Sequence, residues 1–402
     1  MIPVSEAIQI ILRHTSQLEV ESVLLSDALG RVLAEDVIAD CDLPPFDRAQ
    51  MDGYAVRAED VATTPARLRI AGESAAGRGW HHEMKPGEAV RIMTGAPVPA
   101  GADAVQQVEL TREADDAKFV EILQSAEVGR SVVRRGAEIK AGETVLQAGE
   151  DINAAMIATL ASFGYAAVKV GRRPRVAVMA TGTELVDVNQ KPGKDQIRDS
   201  NNYTLAAYAR LAGADVERLP LAGDDTEELK RQMTAAAQAA DVLITSGGVS
   251  MGVYDFTKAA LKELGAEIFF ERVALKPGKP TVFGRIGKTL VFGLPGNPVS
   301  VTVTFNLFAR TALRAMQGAK QPGMIEETAI LARDLKGSID REGYLPAILR
   351  TDEKGTLIAE PLKWGGSSDF VSFARATALI DAPAGIKMFE AGSPVTIVRL
   401  PG

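Results

Sequence analysis

The chain has 402 residues, 46% of them hydrophobic and 24% charged, and 45 Lys and Arg against 52 Asp and Glu give a formal net charge of −7. This length and composition predict a globular protein of more than one domain. The acidic balance argues against a nucleic-acid-binding protein, whose footprint is basic. A single cysteine, Cys41, excludes an internal disulfide, and with three histidines beside it a zinc site of the usual ligands is not expected.

No apolar run approaches the length that a membrane-spanning helix needs. The first residues, MIPVSEAIQIILRH, include a glutamate and lack a basic start followed by a small-residue cleavage site, so a signal peptide is not expected. We therefore expect a cytoplasmic protein that contacts neither nucleic acid nor membrane.

The first 173 residues predict two domains. Apolar residues at helical spacing predict an amphipathic helix over residues 4–14, and Asp151 is placed to cap a second helix over residues 151–160. We assign residues 1–45 with 139–173 to an N-terminal elongated linker domain. Residues 46–138 carry short strands broken by Gly and Pro, which predicts an inserted β-rich domain. Taken alone, Asp52 and Thr94 in this domain are typical turn residues.

From residue 174 the pattern changes to alternating strands and helices. Apolar strands without polar alternation, such as residues 176–181, indicate burial on both faces. Residues 174–322 therefore predict a doubly wound, mostly parallel α/β domain. Residues 301–316 combine strand-like Val and Thr content with helical spacing, and we predict a helix with Asn297 as its cap and Pro298 at its first position. Residues 323–402 are strand-rich and predict a small C-terminal β-barrel or sandwich.

One strand of the α/β domain, residues 242–245, runs into the loop Ser246-Gly247-Gly248-Val249-Ser250, and a helix that Asp255 would cap follows. A glycine loop between a strand and a helix directs backbone N–H groups at an anion. Taken alone, the loop is explained as well by tight packing as by ligand binding.

Other strand ends of this domain also carry polar residues. Because ligands in open α/β sheets bind beyond the carboxyl ends of the strands, we expect these residues to converge. They are Glu184, Asp224, Asp255, Lys276, Lys279, Asn297 and Ser300.

The residue types in this set predict its ligands. Crowded carboxylates are relieved by a hard cation such as Mg²⁺, which takes oxygen ligands and shares them with phosphate. Lysines suit a phosphate or another oxyanion. The predicted ligands are thus a nucleotide phosphate, a magnesium ion and a further anion. Each acid taken singly is better explained by a helix cap or a surface turn, and the prediction depends on their occurring together on successive strand ends.

Several motifs together resemble one family. They are TGTEL at 181–185, SGGVS at 246–250 with Asp255, KPGKP at 276–280 and LPGNPVS at 294–300. The stretches LPPFDRAQMDGYAVR at 43–57, RIMTGAPVP at 91–99 and RRGAEI at 134–139 extend the match over nearly the whole chain. The chain resembles the molybdopterin molybdenumtransferases, the MoeA-type proteins of molybdenum cofactor synthesis, which are related to the E domain of gephyrin.

The resemblance implies an elongated protomer of four parts, usually a homodimer, with its active site between the α/β domain of one subunit and β modules of the other. It implies a transferase reaction in which adenylylated molybdopterin and molybdate give molybdenum cofactor and AMP, with Mg²⁺ as cofactor. Transient contacts with the molybdopterin adenylyltransferase and with acceptor molybdoenzymes are implied as well. A nucleotide-pyrophosphate hydrolase and a non-catalytic scaffold remain the alternatives.

The family's functional residues carry over by motif position. The matching catalytic positions are Asp52, Thr94, Glu184, Asp224 and Asp255, and Glu184, Asp224 and Asp255 are also the expected metal ligands. The expected substrate-binding residues are Thr181, Gly182, Ser246, Gly247, Gly248, Ser250, Lys276, Lys279, Pro295, Gly296, Asn297, Pro298, Ser300 and Ser367. Among them, Lys276, Lys279 and Ser300 match the molybdate positions, with Ser367 as a C-terminal contributor.

The chain departs from the family pattern at two positions. Glu138 stands where an aspartate is common, and Pro346 stands where an arginine is often found, with Arg341 and Arg350 close by. Molybdate contacts from the C-terminal module are therefore less firmly implied than those from the lysines.

Overall fold

A computed structural model of the protein describes residues 1–114, 118–221, 226–248 and 256–401. The chain forms two compact units, one of residues 1–35, 148–157 and 167–402, the other of residues 36–147 and 158–166. The finer division into four domains stays a prediction. The helices are α1 (Val4–His14), α2 (Ala154–Ser162), α3 (Asn201–Leu211), α4 (Thr226–Ala239), α5 (Phe256–Glu263), α6 (Pro298–Thr304), α7 (Arg310–Met316) and α8 (Phe370–Phe373).

The strands follow in chain order. Up to residue 173 they are β1 (Val20–Leu24), β2 (Val37–Ile38), β3 (Arg48–Ala49), β4 (Gly53–Val56), β5 (Ala66–Ser74), β6 (Glu88–Ile92), β7 (Ala104–Gln107), β8 (Thr111–Glu113), β9 (Phe119–Ile122), β10 (Val132–Val133), β11 (Thr144–Leu146) and β12 (Ala167–Gly171). In the α/β region they are β13 (Arg175–Ala180), β14 (Leu185–Val186), β15 (Ile197–Arg198), β16 (Asp215–Arg218), β17 (Val242–Ser246), β18 (Glu267–Phe270), β19 (Leu275–Lys276), β20 (Val282–Ile286) and β21 (Thr289–Leu294). The last ones are β22 (Glu326–Leu331), β23 (Leu335–Ser338), β24 (Glu342–Thr351), β25 (Leu357–Pro361), β26 (Ala378–Ala382), β27 (Ile386–Phe389) and β28 (Pro394–Arg399).

The larger unit is built on a six-stranded sheet of order β16-β13-β17-β21-β20-β18. The first four strands are parallel, and β20 and β18 join in antiparallel register. Alternate residues of the central strands lie in two different hydrophobic cores, one on each face of the sheet. Val176 and Val178 pack with α3 and α7, whereas Ala177 and Met179 pack with α4 and α5. Burial on both faces explains the unbroken apolar strands, and the doubly wound fold is confirmed.

Residues 298–316 are helical, as predicted, but a π-helical segment, Phe305–Ala309, separates α6 from α7. The helix is buried, with Phe305 and Phe308 fully inside. Its threonines bond to their own helix, as the Thr304 hydroxyl donates to Ser300 O at 2.7 Å and the Thr311 hydroxyl to Leu307 O at 2.8 Å. This internal bonding lets a Val- and Thr-rich segment form a core helix.

The C-terminal part of the same unit is a small barrel of β24, β25, β22, β28 and β26, closed by pairing of β24 with β26. Strand β19 pairs in parallel with β24 and thereby joins the barrel sheet. The apolar pattern of residues 266–275 predicts a single strand, and this prediction is wrong. Strand β18 ends at Phe270, and the chain then continues to β19, which pairs with the barrel.

The smaller unit contains a six-stranded sheet of order β7-β4-β6-β5-β9-β8, which confirms its β-rich character. Tyr54, Val56, Leu68 and Val120 lie in its core.

The predicted cap of the second helix was also wrong. Helix α2 begins at Ala154, and Asn153 Oδ1 accepts the Met156 N–H at 3.0 Å, so Asn153 is the capping residue. Asp151 forms an ion pair with Arg314 instead. Among the helices of the described chain, none has the length and apolar character that crossing a membrane requires.

Candidate active site

Three loops meet beyond the carboxyl ends of β13, β17 and β21. We call them loop 181–185, loop 246–248 and loop 294–298. The Thr181 N–H donates to Ser246 O at 3.0 Å, and the Gly247 N–H donates to Leu294 O at 3.2 Å. A Cβ on Gly296 would lie 3.7 Å from the Gly247 Cα. The parallel register of the three strands therefore brings these loops into direct contact.

The two glycines of loop 246–248 are required by the backbone. Gly247 has φ +90°, and a Cβ there would lie less than 3.0 Å from Thr181 O. Gly248 has φ +63°, and a Cβ there would meet the Thr257 hydroxyl just as closely. Only glycine adopts these conformations without strain and leaves this space. Tight packing thus accounts for both glycines.

The cleft has a volume of about 1290 Å³ and lies within the larger unit. The start of α3, residues 185–200 and part of the segment 368–370 complete its walls. The predicted site residues that line it are Thr181, Gly182, Glu184, Ser246, Gly247, Gly248, Pro295, Gly296, Asn297 and Pro298. Asp224, Asp255 and Ser250 lie outside the described residues.

A second group of predicted residues lies apart from the cleft lining. Lys276 is the last residue of β19 and Lys279 lies in the turn that follows. In this turn a Cβ on Gly278 would lie less than 3.0 Å from the Thr304 methyl group. Ser300 is buried in α6, with 4% of its surface exposed. The KPGKP turn therefore packs against the helix that follows loop 294–298.

Ser367 links the barrel region to loop 294–298. The Asn297 Nδ2 donates to the Ser367 hydroxyl at 2.8 Å, and the Val299 N–H donates to Ser367 O at 3.0 Å. Asn297 occupies the capping position before Pro298, as predicted, but its side chain makes no capping hydrogen bond. Its amide fixes the loop to a segment 70 residues further along the chain.

The sequence reasoning missed Asp199 and Asn201, which also line the cleft. The Asn201 Nδ2 donates to Gly296 O at 2.7 Å and so provides a second link to loop 294–298. Asp199 is buried, and its Oδ1 accepts the Asn202 N–H at 3.0 Å. Burial raises the pKa of Asp199, against the opposing effects of the Asn202 hydrogen bonds and the Arg218 charge. The available signal was the run Asp199-Ser200-Asn201, because these residue types favour the start of a helix.

Apolar side chains form part of the cleft wall. Tyr203 on α3, Ile197 and Phe370 line it, and they expose 37%, 59% and 51% of their surfaces. The Arg218 guanidinium lies 3.9 Å from the centre of the Tyr203 ring and holds that ring in place. Exposed rings beside a polar loop suit a flat heterocycle with a charged tail.

Charged and polar groups in the cleft have unused bonding capacity. Glu184 is exposed there, and it lies against Gly182, where a Cβ would come within 3.0 Å of its carboxylate. The Ser246 hydroxyl is buried and has no hydrogen-bond partner among the residues that the structure describes. Within those residues no group of three His, Cys, Asp or Glu side chains is placed to hold a metal ion.

In the smaller unit, Asp52 and Thr94 come together as a pair. Asp52 Oδ1 accepts the Thr94 N–H at 2.6 Å and the Thr94 hydroxyl at 2.9 Å, and these bonds, the backbone one first, lower the pKa of Asp52. Both residues are exposed. Glu138, one of the departures, pairs with Arg48 at 3.1 Å. Pro346, the other departure, is buried within β24 of the larger unit.

Family models match most of the chain. Residues 2–164 match the MoeA N-terminal region (domain I and II), residues 177–315 a probable molybdopterin binding domain and residues 328–400 the MoeA C-terminal region (domain IV). A molybdopterin molybdenumtransferase of Bacillus subtilis is 37% identical over 99% of this chain and 94% of its own. The chain belongs to the molybdopterin molybdenumtransferase family.

Further relatives agree with this membership of the molybdopterin molybdenumtransferase family. The molybdopterin molybdenumtransferase of Haemophilus influenzae is 35% identical over 94% of this chain and 93% of its own. The crystal structure of the molybdopterin biosynthesis MoeA protein of Pyrococcus horikoshii matches all of both chains with a TM-score of 0.86 at 29% identity. The predicted family and fold class are therefore confirmed.

Proposed function

We propose that this protein is a molybdenumtransferase that converts adenylylated molybdopterin and molybdate into molybdenum cofactor and AMP. The observation that carries the proposal is the contact of loops 181–185, 246–248 and 294–298 around one cleft, in a chain that belongs to this enzyme family over its whole length. The cleft volume of about 1290 Å³ is ample for a dinucleotide-sized ligand.

The adenylylated molybdopterin would lie in the cleft with its phosphates over loop 246–248. The buried Ser246 hydroxyl has no hydrogen-bond partner within the described part of the chain, and it would donate to a phosphate oxygen. Tyr203 and Phe370 would contact a flat ring of the ligand. The Asn201 and Asn297 side chains fix loop 294–298 to two different segments, so this loop is preorganised for the ligand.

Glu184 fits a magnesium ion, because its exposed carboxylate faces the cleft and Mg²⁺ prefers such oxygen ligands beside phosphate. Asp199 fits it less well, because its carboxylate is buried and already accepts the Asn202 N–H. The proposed ion would be held by Glu184 with Asp224 and Asp255. When bound, it would neutralise phosphate charge during loss of AMP.

Molybdate would bind at the KPGKP turn, beside the cleft. We assign its charge neutralisation to Lys276 and Lys279. Ser300 would contribute from the helix that this turn packs against, and Ser367 from the segment that bonds to Asn297. Neither lysine has an ion-pair partner within 4.0 Å among the described residues. Unpaired ammonium groups of this kind suit a doubly charged oxyanion.

The remaining parts of the proposal concern assembly. We propose that the protein acts as a homodimer and that Asp52 and Thr94 complete the active site. We also propose that it acts in the cytoplasm, because a single cysteine is typical of a reducing compartment. Transient partners would be the molybdopterin adenylyltransferase that supplies the substrate and the acceptor molybdoenzymes that receive the product.

The test is AMP release from adenylylated molybdopterin and Mg²⁺, measured with and without molybdate. Release that requires molybdate is the expected result. Release indifferent to molybdate would favour a nucleotide-pyrophosphate hydrolase, and absence of release would favour a non-catalytic scaffold.

A further inference from the structure

The turn of residues 93–97, which we call the Thr94 turn, is bonded to two different strands of the smaller unit. The Gly95 N–H donates to Ala49 O at 2.8 Å, and Ala49 belongs to β3. The N–H of the first turn residue donates to Ser74 O at 3.1 Å, and Ser74 is the last residue of β5. The Thr94 turn is therefore fixed between β3 and β5.

Ser74 also bonds to the last residue of this turn, through its side chain. The Ser74 hydroxyl donates to Pro97 O at 2.7 Å. Ser74 is fully buried, and it stands opposite Ile92 in the parallel pairing of β5 with β6. Since β6 runs directly into the Thr94 turn, Ser74 binds the first turn residue with its carbonyl and the last one with its hydroxyl.

The Ser74 hydroxyl has a second partner. The Trp80 N–H donates to Ser74 Oγ at 3.4 Å, which is the longer of its two hydrogen bonds. A Cβ on Gly79 would lie 3.2 Å from Pro97 Cγ, so the chain before Trp80 packs against the Thr94 turn as well. Ser74→Ala would remove both hydroxyl bonds and leave the Pro97 carbonyl without this donor.

The position of the Thr94 turn decides whether Thr94 reaches Asp52. Both Thr94 donors bond to the same oxygen, since Asp52 Oδ1 accepts the backbone N–H at 2.6 Å and the hydroxyl at 2.9 Å. The Asp52 backbone is fixed separately, because its carbonyl accepts the Val108 N–H at 3.0 Å. A displacement of the turn would therefore separate Thr94 from Asp52, and their hydrogen bonds would weaken steeply.

A purely structural role is the simpler explanation of a buried serine. A hydroxyl that bonds to a buried carbonyl contributes to stability wherever it lies in a protein. Ser74 differs in that its bonds go to the first and the last residue of the one turn that carries Thr94. Its loss should therefore change the Asp52–Thr94 pair as well as the stability of the unit.

We propose that Ser74 is a positioning residue of the active site, which fixes the Thr94 turn in the place where Thr94 bonds to Asp52. This inference rests on the proposed function, because Ser74 would act through the Asp52–Thr94 pair. Ser74 lies outside all the motif stretches that carry the family resemblance.

The first test is an NMR titration of the Asp52 carboxyl in the full-length protein with isotope-labelled aspartate, its signal assigned by its loss in Asp52→Asn. The bonds from Thr94 lower the pKa of Asp52, so Ser74→Ala should raise that pKa toward its ordinary value. Ser74→Cys keeps the size of the side chain and a weaker donor, so it should give an intermediate pKa. It also carries the test if Ser74→Ala does not fold.

The matched control for this titration is Ser162→Ala. The Ser162 hydroxyl donates to Ala158 O at 2.9 Å within α2, in the same compact unit, and so it is the same kind of bond outside the Thr94 turn. The control should leave the pKa of Asp52 as in the wild type. An unchanged Asp52 pKa in a folded Ser74 variant would overturn the inference.

The second test separates positioning from stability. Ser74→Ala should lower the rate of AMP release by about tenfold, as loss of a hydrogen bond at the site predicts. It should add little to the loss in Asp52→Ala, because both substitutions act through one pair. An equal further loss in the Asp52→Ala background would show a purely structural role and overturn the inference.

The outcomes distinguish this inference from the proposed function. If Asp52→Ala loses activity while Ser74→Ala changes neither the Asp52 pKa nor the rate, this inference fails and the proposed function stands. If Asp52→Ala keeps the wild-type rate, the proposed function loses its assignment of the Asp52–Thr94 pair, and the role of Ser74 in the active site fails with it.

Discussion

Gly247→Ala tests the contact between the three loops most sharply. Gly247 has φ +90°, and an added Cβ would lie less than 3.0 Å from Thr181 O, which belongs to the neighbouring loop. The left-handed conformation costs an alanine about 1–2 kcal/mol. Relief of the steric overlap costs about 1–3 kcal/mol more and requires loops 181–185 and 246–248 to move apart.

Gly265→Ala is the matched control for that substitution. Gly265 also has a positive φ, +69°, but a Cβ there meets nothing within 4 Å. It should therefore show the conformational cost alone, so that the two variants differ by about 1–3 kcal/mol in free energy of unfolding. Gly247→Ala should also lower molybdate-dependent AMP release by about 10- to 100-fold, because misplacement of site groups is costly, whereas the control should retain its rate.

Two measurements check this prediction, urea unfolding followed by circular dichroism and the initial rate of AMP release. Equal unfolding free energies for the two alanine variants would refute the close packing of loops 181–185 and 246–248. A wild-type rate in Gly247→Ala, with the expected loss of stability, would show that the loop contact does not shape the active site.

Three further predictions concern single side chains. Asn297→Ala should raise the substrate KM about tenfold through loss of the link to Ser367, with little change in melting temperature because the side chain does not cap the helix. Burial first, and then neighbouring carboxylates, raise the pKa of Asp381 to about 6, so its contribution to stability is present below pH 4 and lost as pH rises through about 6. Asp381→Asn should remove that pH dependence in urea titrations and stabilise the protein at pH 8 by about 1–2 kcal/mol, and a less stable variant would contradict this. Asp52→Ala should lower AMP release more than tenfold at unchanged melting temperature, since the Asp52–Thr94 pair is exposed, and a wild-type rate would exclude the pair from the active site.

The α/β fold could be predicted from the sequence because its central strands are buried on both faces. Residues 176–180 and 242–244 are accordingly continuous apolar runs, and the glycine-containing loops follow shortly after them. That pattern, with the family motifs, was enough to predict the cleft-forming loops. The closed barrel was predicted as one of two options, because strand content alone does not decide whether a sheet closes.

The parts that could not be predicted depend on contacts between distant residues. Asn201 reaches Gly296 across 95 residues and Asn297 reaches Ser367 across 70, and no local pattern encodes either bond. The separation of β18 from β19 depends on the pairing of Lys276 with the barrel, which overrides the local strand propensity. The metal ligands Asp224 and Asp255 stay predictions, since they lie outside the described residues.

The most direct test of the account is a crystal structure of the protein soaked with AMP, Mg²⁺ and molybdate. The account predicts AMP in the cleft, with its phosphate against Ser246 and loop 246–248, and molybdate at the KPGKP turn beside Lys276. AMP bound on another face, with the cleft empty at saturating AMP, would contradict the proposed chemistry.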